Sequence, residues 1–403
     1  MIPRTQESLM FLCFYLSIVF GFIIYFSSYI SDSLRIFSYF ASIATGYFGI
    51  ILYASQRLQT NKALRIWLVL FFYMLIMGII MNWLGIGSYS ASNLLSQDLR
   101  YCMYVAIGFV YSDEKYIKKF FNLASAICIL GIIFALYGLS IYDFDLSKVI
   151  RGSRIDIWEL PYYCWWVSET TVLILFAYSL VTGKKRIISY SCLVLYLILA
   201  LLFLKREPFV YTSLIFGICQ FLSSKKHKVV QSIALLLLII ALLSILSDHL
   251  PYLSALIGGV GARFKEAYET SSRVNEVEYF RKISSWGTLF WGYGIGNEYI
   301  QDGVHKNAIH IGFYDAIYKG GVFFLFYYAT LLTRMLRLLI SHFTHRKALT
   351  SVSIISIALT CAALVSLSFS MSFSYAMTIL NFSPAFGIIL NYDRYDYDKI
   401  CDL

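Results

Sequence analysis

Long runs of apolar residues recur along the chain and are separated by short polar links. A transmembrane helix needs about 20 mostly apolar residues to cross a hydrocarbon core about 30 Å thick, and these runs have that character. The pattern predicts twelve segments, at 9–30, 36–53, 66–86, 94–111, 120–142, 161–181, 187–204, 208–222, 229–247, 318–340, 348–369 and 374–391. We therefore expect an all-α, polytopic integral membrane protein of about 12 transmembrane helices, with residues 1–403 forming a single membrane domain.

Composition favours the same class of protein. Of the 403 residues, 59% are hydrophobic and 14% are charged, whereas an ordinary soluble domain has roughly 25% charged residues. The eight cysteines lie in apolar runs apart from Cys401, and the six histidines form no cluster. We predict no disulfide, no metal, no cofactor and no nucleic-acid partner.

Basic residues are concentrated in alternate links between the apolar segments, as the positive-inside rule requires of cytoplasmic loops. These links are 54–65, 112–119, 183–186, 224–228 and 341–347. The alternation predicts that both termini are cytoplasmic. It also places the longest link, residues 248–317 between the ninth and tenth segments, on the outer side.

Arginines break this bias, because many of them fall on the predicted outer side. They are Arg35, Arg100, Arg151, Arg154, Arg206, Arg263, Arg273 and Arg281. Planar guanidinium groups suit a bound phosphate or carboxylate, although an ordinary solvated loop would also contain them. Lys205 and Arg206 lie in a very short outer link, which favours pre-organised anion binding, with a plain charged hairpin tip as the alternative.

The ionisable residues Glu169 and Arg100 fall inside predicted apolar segments. A charge at membrane depth costs at least a few kcal/mol unless it is paired or faces water. Each residue therefore indicates an interior cavity, and the alternatives are a structural ion pair or an arginine that reaches the membrane surface.

The long outer link has its own pattern. Val274, Val277, Phe280 and Ile283 recur at three-residue spacing. This spacing predicts a short amphipathic helix that lies on the membrane surface or covers a cavity. The dense glycines at 292–296 do not have the GxGxxG spacing of a dinucleotide site, and we expect them to form a tight turn.

The order of residues in this link resembles the long outer loop of the O-antigen polymerase and ligase superfamily. The matching residues are Arg273-Val274-Asn275, Phe280, Trp286, Gly292-Tyr293-Gly294-Ile295-Gly296, His310 and Gly321. In that family an arginine opens the segment, a glycine turn follows, and a histidine precedes a glycine-rich helix start. His310 is followed by Ile311 rather than the family's Asn or Ser, so His305, with Asn307 two residues on, competes for the histidine position. The segment Lys205-Arg206-Glu207-Pro208-Phe209 also resembles a short arginine-bearing segment of the family.

The resemblance implies a membrane glycosyltransferase that joins oligosaccharide repeat units carried on undecaprenyl pyrophosphate, in O-antigen or capsule biosynthesis. It would act at the outer face of the bacterial cytoplasmic membrane, often in this family with a chain-length regulator protein. The implied site residues fall into three groups: Arg206, Arg273, Arg154 and Arg151 for the pyrophosphate, His310 and then Glu169 as the base, and His305, Arg100, Arg281 and Lys205 as further candidates.

Two other functions stay open at this point. The ligase of the same superfamily, which transfers the finished glycan to lipid A core, has the same general pattern. A flippase for the lipid-linked unit would more often show related halves and charges near the middle of the membrane, and it would not need a long outer loop.

Overall fold

The computed structural model of the chain describes residues 4–26, 31–141, 160–202, 207–223, 278–282, 284–301, 304–306, 309, 312–345, 349–369 and 376–393. These residues are mostly helical. The helices are α1 Arg4–Phe26, α2 Asp32–Arg57, α3 Lys62–Trp83, α4 Leu99–Tyr111, α5 Ile117–Ile141, α6 Leu160–Thr182, α7 Arg186–Leu202, α8 Glu207–Leu222, α9 Trp286–Trp291, α10 Gly312–His345, α11 Ser351–Phe369 and α12 Ala376–Asn391. A short helix, Ala91–Asn93, and a π-helical turn, Leu94–Asp98, lead directly into α4.

The mostly helical fold was expected, and several of these helices are long and apolar enough to cross a membrane. Among the described residues four meet this criterion by length and composition: Arg4–Ile24, Asp32–Arg57, Lys62–Trp83 and Gly312–Thr344. Shorter apolar helices include Thr170–Thr182, Arg186–Ala200 and Ser351–Leu367. Large side chains such as Val69 and Phe72 are exposed on α3, and exposed apolar surface of this kind suits contact with lipid. The predicted segment 229–247 lies outside the described residues.

The tenth predicted segment, 318–340, differs from the helix that the structure contains. Helix α10 begins at Gly312, before the predicted start at 318, and continues to His345. Gly321 is a kink between two helical stretches of α10, with φ 58° and ψ −148°. A Cβ at this position would come less than 3.0 Å from the carbonyl oxygen of Phe290, so the kink lets a neighbouring backbone approach the helix.

A small antiparallel sheet, which the hydrophobic pattern does not predict, lies beside these helices. Its three strands are β1 Ser88–Tyr89, β2 Asn297–Gln301 and β3 Val304–Lys306, in that spatial order. Tyr89 pairs with Asn297, which joins the link after α3 to the long link 248–317. Strands β2 and β3 are separated in sequence by Asp302-Gly303, a dipeptide typical of tight hairpins, so a sequence signal for part of the sheet exists.

The chain divides into two compact units, 1–120 with 272–348 and 363–402, and 121–271 with 349–362 and 403. In the first unit, α4 packs along α12, and α1 packs along α2. In the second unit, α6 packs against α7 and α8. There the Ser189 hydroxyl donates to the carbonyl of Leu175 at 3.1 Å, and the rings of Phe176 and Phe216 stack.

Buried polar groups lie at the N-terminal end of α3 in the first unit. Asn61 caps the helix by accepting from the Leu64 amide at 3.0 Å. Its side-chain oxygen also accepts from Asn391 at 3.0 Å, which fastens the end of α12 to this point. Nearby, Asp113 is fully buried and accepts from Arg57 at 2.5 Å and from the Tyr53 hydroxyl at 2.9 Å. These bonds satisfy groups that would otherwise be costly to bury.

Candidate functional site

The glycine-dense segment 292–296 forms a tight turn, as expected from its sequence. Gly292, Gly294 and Gly296 all have positive φ, at 77°, 74° and 84°. L-residues with a Cβ rarely adopt this backbone region, so the glycines are required by the conformation. The helix before the turn, α9, starts with a capping box between Ser285 and Thr288 and stops at Gly292.

Main-chain hydrogen bonds fasten this turn to two helices. The Tyr293 amide donates to the carbonyl of Tyr318 at 2.6 Å, and the Gly294 amide donates to that of Lys319 at 3.0 Å, both on α10. The Ile295 amide donates to the carbonyl of Met74 on α3 at 3.1 Å. Helix carbonyls normally bond to amides of their own helix. Three bonds from the turn to helix carbonyls therefore hold it in close contact with both helices.

A buried hydrophobic cluster, made mostly of aromatic side chains, surrounds the turn. Its members are Phe280, Tyr293, Tyr299, Ile309 and Tyr318. The rings of Tyr293 and Tyr318 stack with their centroids 4.7 Å apart. Burial raises the pKa of the Tyr293 phenol, and a hydrogen bond with Thr288 partly opposes this. Tyr293 is therefore a neutral group at physiological pH, and the cluster gives this part of the outer loop a core of its own.

Three charged residues meet beside the turn. The ammonium of Lys319 lies 2.9 Å from Asp98 Oδ1 and 3.3 Å from Asp315 Oδ2. The side chains are nearly buried, with 12% of Lys319, 5% of Asp98 and 8% of Asp315 exposed. They line a small cavity together with residues that include Tyr101 and Tyr328. Charges are buried in this way when they are paired, and we name these three residues the charged cluster.

The second oxygen of each carboxylate accepts a hydrogen bond from the loop backbone. Asp98 Oδ2 accepts from the amide of Gly296, the last glycine of the turn, at 2.8 Å. Asp315 Oδ1 accepts from the amide of Ile309 at 3.1 Å. Ile309 directly precedes His310 in the sequence. The charged cluster therefore contacts the turn on one side and the backbone next to the predicted histidine on the other.

Four of the predicted site residues fall at least partly in the described part of the chain. Arg100 is buried, with its guanidinium 5.1 Å from the ring centre of Tyr39 and a bond to the Ser96 carbonyl at 3.2 Å. Arg281 is exposed in the helical stretch 278–282. His305 lies in β3, where it pairs with Ile300, and Glu169 lies in α6. The structure describes the backbone of these two residues but not their side chains.

The other predicted site residues lie outside the described residues: His310, Arg151, Arg154, Lys205, Arg206 and Arg273. The same is true of Val274, Val277 and Ile283 of the predicted amphipathic helix. The remaining residue of that pattern, Phe280, belongs to the buried hydrophobic cluster and is 3% exposed.

The charged cluster was missed by sequence reasoning, although a signal for it exists. Asp98 and Lys319 fall inside the apolar segments 94–111 and 318–340, and this criterion had already selected Arg100 and Glu169. Asp315 precedes Lys319 by one helical turn, a spacing at which opposite charges meet on a helix.

The chain matches no protein-family model, no curated protein and no solved structure.

Proposed function

We propose that the chain is a polysaccharide polymerase of the bacterial cytoplasmic membrane. It would join oligosaccharide repeat units carried on undecaprenyl pyrophosphate at the outer face of that membrane. The proposal rests on the resemblance of the outer loop, from Arg273 through the glycine turn to His310, to the O-antigen polymerase and ligase superfamily.

The observation that supports it best is that the glycine turn is held against α3 and α10 by hydrogen bonds. In an ordinary surface loop, a cluster of glycines would be a flexible connection. Here the turn is bonded to Met74 and Lys319 and is adjacent to three buried charges, which is the kind of fixed arrangement that a site needs. The glycine turn, which belongs to the segment that resembles the family, is thus held in a fixed position in the fold.

The arrangement of the first unit also agrees with the proposed orientation of twelve spans with both termini in the cytoplasm. The basic links 54–65 and 112–119 meet at the N-terminal end of α3, where Arg57 contacts Asp113. The glycine turn contacts α3 near its other end, at Gly78. Residues 62 and 78 of a helix are separated by roughly 24 Å, close to the thickness of a membrane core. The basic links and the loop therefore belong to opposite ends of one helix, as the positive-inside rule requires.

In the proposed reaction, a hydroxyl group of the acceptor sugar attacks the anomeric carbon of the donor chain. The bond between that carbon and the pyrophosphate oxygen breaks, and the hydroxyl proton passes to a base. We assign this base to His310, whose ordinary pKa of about 6.5 suits proton transfer near neutral pH. Arg206 and Arg273, with Arg154 and Arg151, would hold the departing pyrophosphate, because fixed bidentate donors best meet its growing charge.

The test is an analysis of the surface glycan from strains with and without the gene. Loss of a polymerase leaves a single repeat unit on its acceptor, and the wild-type gene restores the long chains. Loss of a ligase leaves no repeat unit on the acceptor, and loss of a flippase leaves the lipid-linked unit on the cytoplasmic side. Either of the last two results would contradict the proposal.

A further inference from the structure

Besides their contacts with Lys319 of α10, the two carboxylates of the charged cluster accept hydrogen bonds from two separate stretches of the long loop. Asp98, from the π-helical turn before α4, holds the amide of Gly296. Asp315, from the first turn of α10, holds the amide of Ile309. Gly296 and Ile309 are the ends of the segment that contains the small hairpin, β2 and β3. The carboxylates therefore fix both ends of this segment.

Lys319 connects the two anchor points. Its ammonium contacts both carboxylates, at 2.9 Å and 3.3 Å, and its main-chain carbonyl accepts from the Gly294 amide at 3.0 Å. Hydrogen bonds from an amide to an ionised carboxylate are roughly twice as strong as neutral ones. Lys319 places one cation beside both of these nearly buried carboxylates, and charges are buried in this way when they are paired.

We propose that Lys319 is a positioning residue, which holds the side chains of Asp98 and Asp315 together and thereby holds the glycine turn and the backbone next to His310 in place. The assignment of a catalytic consequence rests on the proposed function, because it assumes that His310 acts on the substrate. The mechanical part, that Lys319 fixes Gly296 and Ile309, stands independently of the reaction.

A second buried ion pair in the same unit provides a matched control. Arg57 and Asp113 also meet at close range, but Asp113 bonds to Tyr53 and to the Lys115 amide near the opposite end of α3. Replacing Lys319 or Arg57 by methionine removes the cation that pairs with buried carboxylates. Only the Lys319 variant should affect the outer loop.

The experiment uses the full chain, purified and placed in lipid nanodiscs, as wild type and as Lys319→Met, Lys319→Arg and Arg57→Met. Two quantities are measured: hydrogen exchange of the amides of Gly296 and Ile309, and polymerisation of a lipid-linked repeat unit with kcat and KM determined separately. We expect Lys319→Met to raise exchange at both amides and to lower kcat by about 10–100-fold with little change in KM, since a misplacement of about 1 Å in a site can reduce rate by about 100-fold. Lys319→Arg should recover part of both, and Arg57→Met should alter neither.

Single neutral variants keep the test valid if Lys319→Met does not fold. Asp98→Asn should raise exchange at Gly296 alone, and Asp315→Asn should raise it at Ile309 alone, each with a lower kcat. Unchanged exchange in all these variants overturns the proposal. Raised exchange with a wild-type kcat overturns the catalytic consequence and supports the mechanical part alone. If the wild-type protein polymerises nothing, the proposed function falls, and the exchange data alone then support or overturn the mechanical part.

Discussion

Gly294 in the outer loop lies directly against Gly78 on α3. A Cβ on Gly294 would come less than 3.0 Å from the backbone nitrogen of Gly78, and a Cβ on Gly78 would come less than 3.0 Å from the carbonyl oxygen of Ile295. The main chains of the loop and the helix are therefore in contact with no side chain between them. Asn297 strengthens this contact by donating from its side chain to the Gly78 carbonyl at 3.1 Å.

This contact predicts that Gly294→Ala destabilises the first unit strongly. The substitution imposes a positive φ of 74° on a residue with a Cβ, which costs about 1–2 kcal/mol, and it adds a clash with backbone that cannot move easily. Gly85→Ala is the matched control, because Gly85 also has a positive φ, 68°, but nothing within 4 Å of its Cβ position. Thermal unfolding in detergent should show a larger loss for Gly294→Ala. Equal losses would mean that the close contact between the turn and α3 contributes nothing to stability.

The buried pair at the other end of α3 predicts a second stability effect. Arg57→Met leaves Asp113, which is fully buried, without its cation. Breaking a buried pair in this way costs roughly 3–5 kcal/mol, and we expect the low end because 30% of the Arg57 side chain is exposed. Combining it with Asp113→Asn should recover part of the loss, which denaturant or thermal unfolding can measure.

An exposed ion pair supplies the control for that experiment. Arg35 and Asp32 lie 2.8 Å apart, with 45% and 79% of their side chains exposed. Arg35→Met should change the free energy of unfolding by less than about 1 kcal/mol. A loss as large as that of Arg57→Met would show that burial does not decide the difference.

The proposed orientation predicts where inserted reporter tags will lie. Tags at Lys185, at Lys226 and at the C-terminus should report the cytoplasm, and a tag near Ala267 should report the outer side. Enzymatic fusion reporters that are active on only one side of the membrane can measure this. An outer signal at Lys226 would break the twelve-span arrangement and place the proposed site in the wrong compartment.

Arg206→Lys tests the role of the guanidinium group in the proposed polymerase. The lysine keeps the positive charge but cannot form the planar, two-pronged bond to a pyrophosphate, so we expect most of the activity to be lost. Glycan length in a complemented deletion strain, at matched protein level, is the measurement. Wild-type chain length in this variant would make Arg206 an ordinary hairpin charge.

His310→Ala should reduce long glycan chains to single or few repeats, because general acid–base help is typically worth about 10²–10⁴-fold in rate. His305→Ala should have a smaller effect and serves as the comparison. His310→Gln separates two roles: an amide can still position a hydroxyl group by hydrogen bonding, but it cannot accept its proton. Full-length glycan in the alanine variant would remove His310 from the site and favour His305 or Glu169.

The apolar segments were predictable because hydropathy is a local property of the chain. The segment 36–53 lies inside α2, Asp32–Arg57, and 187–204 overlaps α7, Arg186–Leu202, with differences confined to the ends. Helix ends are set by capping groups such as Ser31, whose side chain accepts from the Leu34 amide, and these polar residues contribute little to an average of hydropathy.

The sequence by itself determined the long apolar helices, the mostly helical fold and the tight turn at the glycines, since each depends on residues that are neighbours in the chain. Only the tertiary structure decided that Asp98, Asp315 and Lys319 form one cluster, that Gly78 receives Gly294, and that α10 starts before Gly321 and breaks there. Asp98 and Lys319 are far apart in sequence, and no periodicity connects them. Their meeting depends on how α3, α4 and α10 pack and on the need of buried charges and backbone amides for partners.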